Sequence, residues 1–154
     1  MDIVRFKGGL GNQMFQYAFL ESLRHRNREV KASLGFYEKH KDNVMPFILD
    51  SVFQNVKIQT VQESKFEDID YRWRQIKEDK EQLKRFKEDY SKRFFWVEDK
   101  DSEYREDVYK TQNCTFVGYW QTEKYFKQIE TDIRKAFLFC NIEPQLYELG
   151  KVLN

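Results

Sequence analysis

The stretch KGGLGNQMFQYA, from Lys7 to Ala18, constrains this chain more than any other. Three glycines, Gly8, Gly9 and Gly11, stand between an apolar run and a segment with helical spacing. Ile3 to Phe6 is apolar, partly β-branched, and meets glycine at once, which reads as a buried strand ending in a turn, with the strand inside Asp2 to Lys7. Beyond Asn12 the period changes. Phe15, Ala18, Phe19, Ser22 and Leu23 fall on one face of a helix that is expected to begin between Gly11 and Met14. Asn12 reads as its N-cap, because a side-chain oxygen there accepts from an orphan backbone N–H. Arg24, Arg26 and Arg28 suit the negative end of the helix dipole, and Asn27 suits its termination. Val30 to Leu34 follows as a second strand. Strand, turn, helix and strand make a βαβ unit, hence a three-layer α/β domain with a parallel sheet.

Glycine turns feeding a helix serve several phosphate-binding schemes. A Walker A loop needs a lysine and a hydroxyl after its last glycine, and neither follows Gly11. A dinucleotide fingerprint needs a third glycine where Met14 stands, and Glu29 precedes the second strand instead of ending it. A looser scheme fits. Glycines let a ligand approach backbone N–H groups at the positive end of the helix, with Asn12 and Gln13 as neutral donors. A glycine turn packed tightly on the sheet, with Asn12 only capping, suits the same residues equally well.

Farther on, MPFILDSVF suggests a loop and a short helix, and VKIQTV (Val56 to Val61) alternates as a strand does. Val61 to Lys110 carries 13 basic and 15 acidic residues. Phe66, Ile69, Trp73, Ile76 and Leu83 recur there at helical spacing, so the stretch reads as an exposed helical excursion with one packed stripe; sustained heptads are missing. CTFVGYW is a strand candidate running into Gly118. Thr122 then caps a helix with Phe126, Ile129, Ile133 and Phe137 on one face. Pro144 opens a last helical segment.

Composition narrows the function classes. Lys and Arg total 27 against 26 Asp and Glu, so no basic footprint points to nucleic acid. With two histidines, His25 and His40, and two cysteines, Cys114 and Cys140, in no CxxC pattern, a zinc site is not expected and the cysteines read as reduced and structural. No basic start followed by a long apolar core marks a leader, and no run approaches the ~18 apolar residues of a membrane span. The expected compartment is the cytoplasm, with peripheral association at the inner face of the membrane left open.

VRFKGGLGNQMFQYAF, Val4 to Phe19, closely resembles the amino-terminal signature of the α-1,2-fucosyltransferases, glycosyltransferase family eleven. FVGYWQTEKYF, Phe116 to Phe126, is similar to that family's GYWQ-type motif and the helix after it, and MPFILDSVF resembles a less regular segment between them. The resemblance implies the amino-terminal half of a GT-B-like enzyme of two Rossmann-like domains. It implies transfer of fucose from GDP-β-L-fucose to the 2-hydroxyl of a terminal galactose in a glycan, with inversion and with no cofactor or metal. Substrate-binding residues on this chain would be Gly8, Gly9, Gly11, Asn12, Gln13, Tyr119, Trp120 and Gln121. The family's HxRRGD motif, whose arginines neutralise the diphosphate, is not in this sequence. The expectation is therefore a fragment, inactive alone, whose catalytic residues lie past Asn154. A non-catalytic sugar- or nucleotide-binding module built on the same fold is the alternative.

Overall fold

The computed structural model describes residues 1–39, 45–62, 79–91, 95–98 and 103–139. Strand β1 (Asp2–Arg5) pairs in parallel with β2 (Val30–Ser33), Asp2 opposite Val30 and Arg5 opposite Ser33. Helix α1 (Leu10–His25) makes the crossover between them. It starts one residue ahead of the expected range, with Gly9 as N-cap and Gly11 in its first turn. Asn12 is not the cap. The Gln13 N–H closes the first turn on the Gly9 carbonyl at 3.0 Å, so the backbone begins the helix without a side chain. At the other end Asn27 takes φ 57°, as expected of the terminating residue. Its N–H reaches the Arg24 carbonyl at 2.8 Å while the Arg28 N–H reaches Leu23 at 3.3 Å, the crossed pair of a left-handed helix stop.

That stop aims Arg28 back at the sheet. Its Nε meets Asp2 Oδ2 at 2.6 Å, with the two side chains only 9% and 5% exposed. Asp2 Oδ1 also accepts the Cys114 N–H at 3.0 Å. One buried carboxylate thus ties the end of α1 to the starts of two strands. Removing either partner of such a pair leaves an uncompensated charge inside.

The sheet has the order β2-β1-β4-β3, with β3 at Phe95–Val97 and β4 at Thr115–Val117, and every pairing is parallel. From β1 the chain steps outward to β2, then returns on the far side of β1 to lay down β3 and β4. VKIQTV gives one parallel bridge, Ala32 to Thr60, in place of the expected strand. The reason lies in Val56, whose N–H closes a turn on Phe53 (3.3 Å) and whose side chain enters the core. Short helices α2 (Gly35–Lys39) and α3 (Leu49–Val52) follow β2, the second inside the MPFILDSVF segment as expected.

The charged stretch is less uniform than its composition suggests. It holds helix α4 (Lys80–Ser91), but also β3 and a 3₁₀ turn at Glu106–Lys110. The apolar FWV run pairs along β4, Trp96 opposite Phe116, and that ladder overrides the helical surroundings. Phe66, Ile69, Trp73 and Ile76 lie outside the described residues; Leu83 is half-buried and Phe86 buried. Beyond β4, Thr122 makes no capping bond. The chain forms 3₁₀ turns at Glu123–Tyr125 and Lys127–Ile129 before α5 (Glu130–Ala136). Tyr125 breaks the expected continuous helix. It is drawn into the core, where its hydroxyl accepts the Arg105 N–H at 3.0 Å and donates to the Glu103 carbonyl at 3.2 Å. The apolar stripe still packs as expected, Ile129 and Ile133 against Ala18 of α1, with Phe126 and Phe137 beside them.

Cys114 is a buried free thiol whose pKa rises from 9.0 to about 12, chiefly through loss of solvent and secondarily through Asp2; Cys140 lies outside the described residues. Burial likewise lifts Tyr17 and Tyr125 from 10.0 to about 12. The folded state therefore holds these protons more tightly than the unfolded chain does. The stability they carry is complete below the unfolded value near pH 9 and is lost as pH rises toward 12. Urea midpoints measured at rising pH are expected to be flat to about pH 9 and to fall progressively above it, and Cys114 is expected to react with a thiol reagent only on unfolding.

Candidate active site

The carboxyl ends of β1 and β4 lie side by side where the strand order reverses, the place in a parallel sheet where ligand crevices form. β1 runs out into Lys7, Gly8 and Gly9; β4 runs out into Gly118, Tyr119, Trp120 and Gln121. The two sequence motifs, far apart in the chain, are thus neighbours in space. Gln16, fully buried in α1, fixes their separation. Its Oε1 accepts the Lys7 N–H at 3.0 Å, and its Nε2 donates to the Lys7 carbonyl at 3.2 Å and the Gly118 carbonyl at 3.1 Å.

Gly8 alone of the three motif glycines has positive φ, +82°. A Cβ there would stand 2.5 Å from Asn12 Nδ2, so the Asn12 amide folds directly over the glycine. The Gly8 carbonyl accepts from Gln13 Nε2 at 3.1 Å and from the Tyr37 hydroxyl at 2.8 Å, which holds the turn in place. Loss of solvent raises the Tyr37 pKa and keeps that hydroxyl a donor. Gly9 is the extended N-cap residue, and Gly11 is an exposed helix position with nothing near its missing Cβ.

The predicted ligand contacts divide. Asn12 Oδ1 accepts from Gln121 Nε2 at 2.7 Å, a bond that joins the two motifs, while no described group accepts from Asn12 Nδ2. Tyr119 is half-buried, with Lys7 Nζ 4.4 Å from its ring centroid. Gln13, expected to face a ligand, is fully buried. Its amide donates to Gly8 and Pro46 (3.0 Å) and accepts the Ile48 N–H at 3.1 Å, so its polar atoms serve the scaffold. Trp120 is also wholly buried, stacked on Phe19 with ring centroids 4.0 Å apart; core packing claims it. The N–H groups of Leu10, Gly11 and Asn12 precede the first helical hydrogen bond. Among the described residues no side chain caps them and no acidic residue stands in the first turn, so the positive dipole end is not neutralised there.

Sequence reasoning missed Gln16 and Lys7. Gln16 carried a signal: it is a carboxamide three residues after Gln13, on a helix otherwise closing over apolar strands. Lys7 sets a cation beside the glycine turn, where only neutral donors were expected. It is 9% exposed, its stem buried at the end of β1.

These features define a parallel α/β domain whose two glycine-bearing turns meet at its switch point. The chain is 33% identical to an alpha-1,2-colitosyltransferase from Escherichia coli over 170 aligned positions, 98% of this chain and 49% of that protein. The chain therefore spans about half the length of this curated relative. No family model matches the chain, and no solved structure matches it at a significant level. Among the described residues no helix is long and apolar enough to cross a membrane.

The glycines should separate by substitution. Gly8→Ala is expected to cost more than about 1 kcal/mol, because it forces a Cβ into the left-handed region and against Asn12, whereas Gly11→Ala is expected to gain about 0.5–1 kcal/mol as a helix substitution into open space. Gln16→Leu leaves the Lys7 N–H and two carbonyls without their partner and should cost at least about 3 kcal/mol. Chemical denaturation of the three variants checks both expectations, and a Gln16→Leu protein as stable as the parent would remove the clamp from the account.

Proposed function

We propose that this chain is the amino-terminal, Rossmann-like half of a GT-B-like glycosyltransferase. It acts with a second domain that bears the HxRRGD arginines, and it transfers L-fucose from GDP-β-L-fucose to the 2-hydroxyl of a terminal galactose in a glycan or surface polysaccharide. The observation that carries this reading is Asn12. Gln121 of the second motif occupies its Oδ1, so its Nδ2 is oriented as a donor over the glycine turn. The first-turn amides of α1 suit a diphosphate there, and the Lys7 ammonium, 4.4 Å from the Tyr119 ring centroid, adds positive charge at the same end of the sheet. The likeness to a colitosyltransferase supports a nucleotide-sugar donor and a glycan acceptor.

In the reaction the galactose 2-hydroxyl attacks the anomeric carbon as the bond to the diphosphate oxygen breaks. GDP leaves with the electron pair, and the hydroxyl proton passes to a base expected outside the described residues. Negative charge grows on the diphosphate in the transition state. Preorganised donors aimed there act where catalysis gains most. A nucleotide-sugar donor fits a cytoplasmic protein, with peripheral association at the inner face of the membrane as the variant of this reading.

A second reading concerns the sugar. Colitose is L-fucose without its 3-hydroxyl, and the named relative favours testing it as donor. A site that hydrogen-bonds the 3-hydroxyl rejects the deoxy sugar strongly, whereas an apolar pocket accepts it. Initial rates with both GDP sugars separate these, and binding of GDP without turnover by the two-domain protein would favour the non-catalytic module.

Asn12→Asp is the decisive variant. Its carboxylate still accepts from Gln121 and adds a favourable charge in the first turn of α1, so melting should be unchanged or slightly improved. Toward a diphosphate it replaces a donor with a repelling acceptor, so transfer efficiency should fall more than tenfold, at least ~1.4 kcal/mol. Near-parental kinetics in a normally folded Asn12→Asp enzyme would overturn this reading.

A further inference from the structure

The turn that carries Tyr119 to Gln121 is shaped by a residue from neither motif. Glu98 follows β3, and its N–H donates to the Val117 carbonyl at 2.9 Å, extending the parallel pairing by one step. Its side chain reaches across the end of β4. There Oε2 accepts two successive backbone N–H groups, Tyr119 at 2.6 Å and Trp120 at 3.1 Å. The residue is 4% exposed. Converging amides form a small anion cradle, and this one is filled by the protein's own carboxylate.

Two further observations show how much of the local geometry follows from that contact. A Cβ on Gly118 would lie 2.6 Å from both Glu98 Cβ and Oε2, so position 118 is glycine where the carboxylate packs against the backbone. Trp120 adopts φ 58°, a conformation that a bulky L residue rarely takes unless its surroundings enforce it. The next residue is Gln121, whose amide holds Asn12, and the residue before is Tyr119, whose ring lies under Lys7.

We infer that Glu98 is a positioning residue for the crevice: its buried carboxylate sets the Gly118–Trp120 turn and thereby orients Asn12, through Gln121, toward a nucleotide-sugar diphosphate. It touches no ligand itself. This rests on the reading of the crevice given under the proposed function.

The test uses the enzyme in which this chain is joined to its arginine-bearing domain, assayed with GDP-fucose and a galactoside. Glu98→Ala is expected to lower kcat/KM for GDP-fucose more than about tenfold, with kcat falling as well as KM rising, since the displaced Asn12 donor no longer meets the charge that grows on the diphosphate. Glu98→Gln keeps an acceptor oxygen in place and should restore both constants to within about threefold. Glu98→Asp keeps the charge but withdraws the oxygen by one methylene, and should resemble Ala. A parental kcat/KM in Glu98→Ala, or a Gln variant as impaired as Ala, overturns the assignment. Should Glu98→Ala fail to fold, the Gln and Asp pair decides, and a parental Asp variant overturns it. Asn12→Asp in the same assay separates the two claims. If it impairs transfer while the Glu98 series does not, positioning alone falls; if it is neutral, the crevice reading falls with it.

Discussion

The site depends on one carboxamide. Gln16 sits on the buried face of α1 and bonds both sides of the seam between the ends of β1 and β4, at Lys7 and Gly118. A carboxamide suits this place because it offers a donor pair and an acceptor without a charge to desolvate. An aliphatic side chain would fill the volume and leave three backbone groups unmet. Because the bonds run to main chain, the spacing of the two turns survives changes in their side chains. The motif side chains at the two turns can then vary without moving the turns themselves.

A second polar anchor works at the opposite end of the sheet. Asp2, paired with Arg28 and bonded to the Cys114 N–H, fastens the amino ends of β1 and β4 as Gln16 fastens their carboxyl ends. Between these two poles the contact is apolar: Val4, Phe6 and Phe116 beneath Phe19, Leu20 and Leu23. Hydrophobic burial supplies most of the driving force but is non-directional and so less exacting about register than a hydrogen-bonded pair. The buried polar pairs are where register is specified, since a slip by one residue would strand them.

The βαβ start was legible because its signals are local. Apolar spacing, the glycine turn and the left-handed Asn27 each act within a few residues of themselves. The cap at Asn12 was misread for a related reason. The turn at Gly8 and Gly9 starts the helix at Leu10, so Asn12 falls inside its first turn and its oxygen goes to Gln121, 109 positions away. β3 was hidden by charged neighbours, since three apolar residues become a strand only through β4 beside them. Of the eight residues expected to line the site, the structure brings the two groups together, yet it gives Gln13 and Trp120 to the scaffold. Only long-range packing decides which amide or ring faces inward. Glu98 carried no local signal at all, one carboxylate among many in a stretch read as solvent-facing.

The strand order has a consequence for how the chain comes together. β1 precedes the other strands in the chain, yet it lies inside the sheet, with β2 on one side and β4 on the other. Its pairing with β2 needs only the helix between them. Its other edge stays open until Val117 has been made, so an apolar strand edge waits unpaired while the long charged segment is translated. Closing so distant a contact is slow, and exposed strand edges invite the wrong partner meanwhile. The segment that separates the open edge from its partner strand is polar, with 13 basic and 15 acidic residues between Val61 and Lys110, so it offers that edge few apolar runs to pair with in the interval.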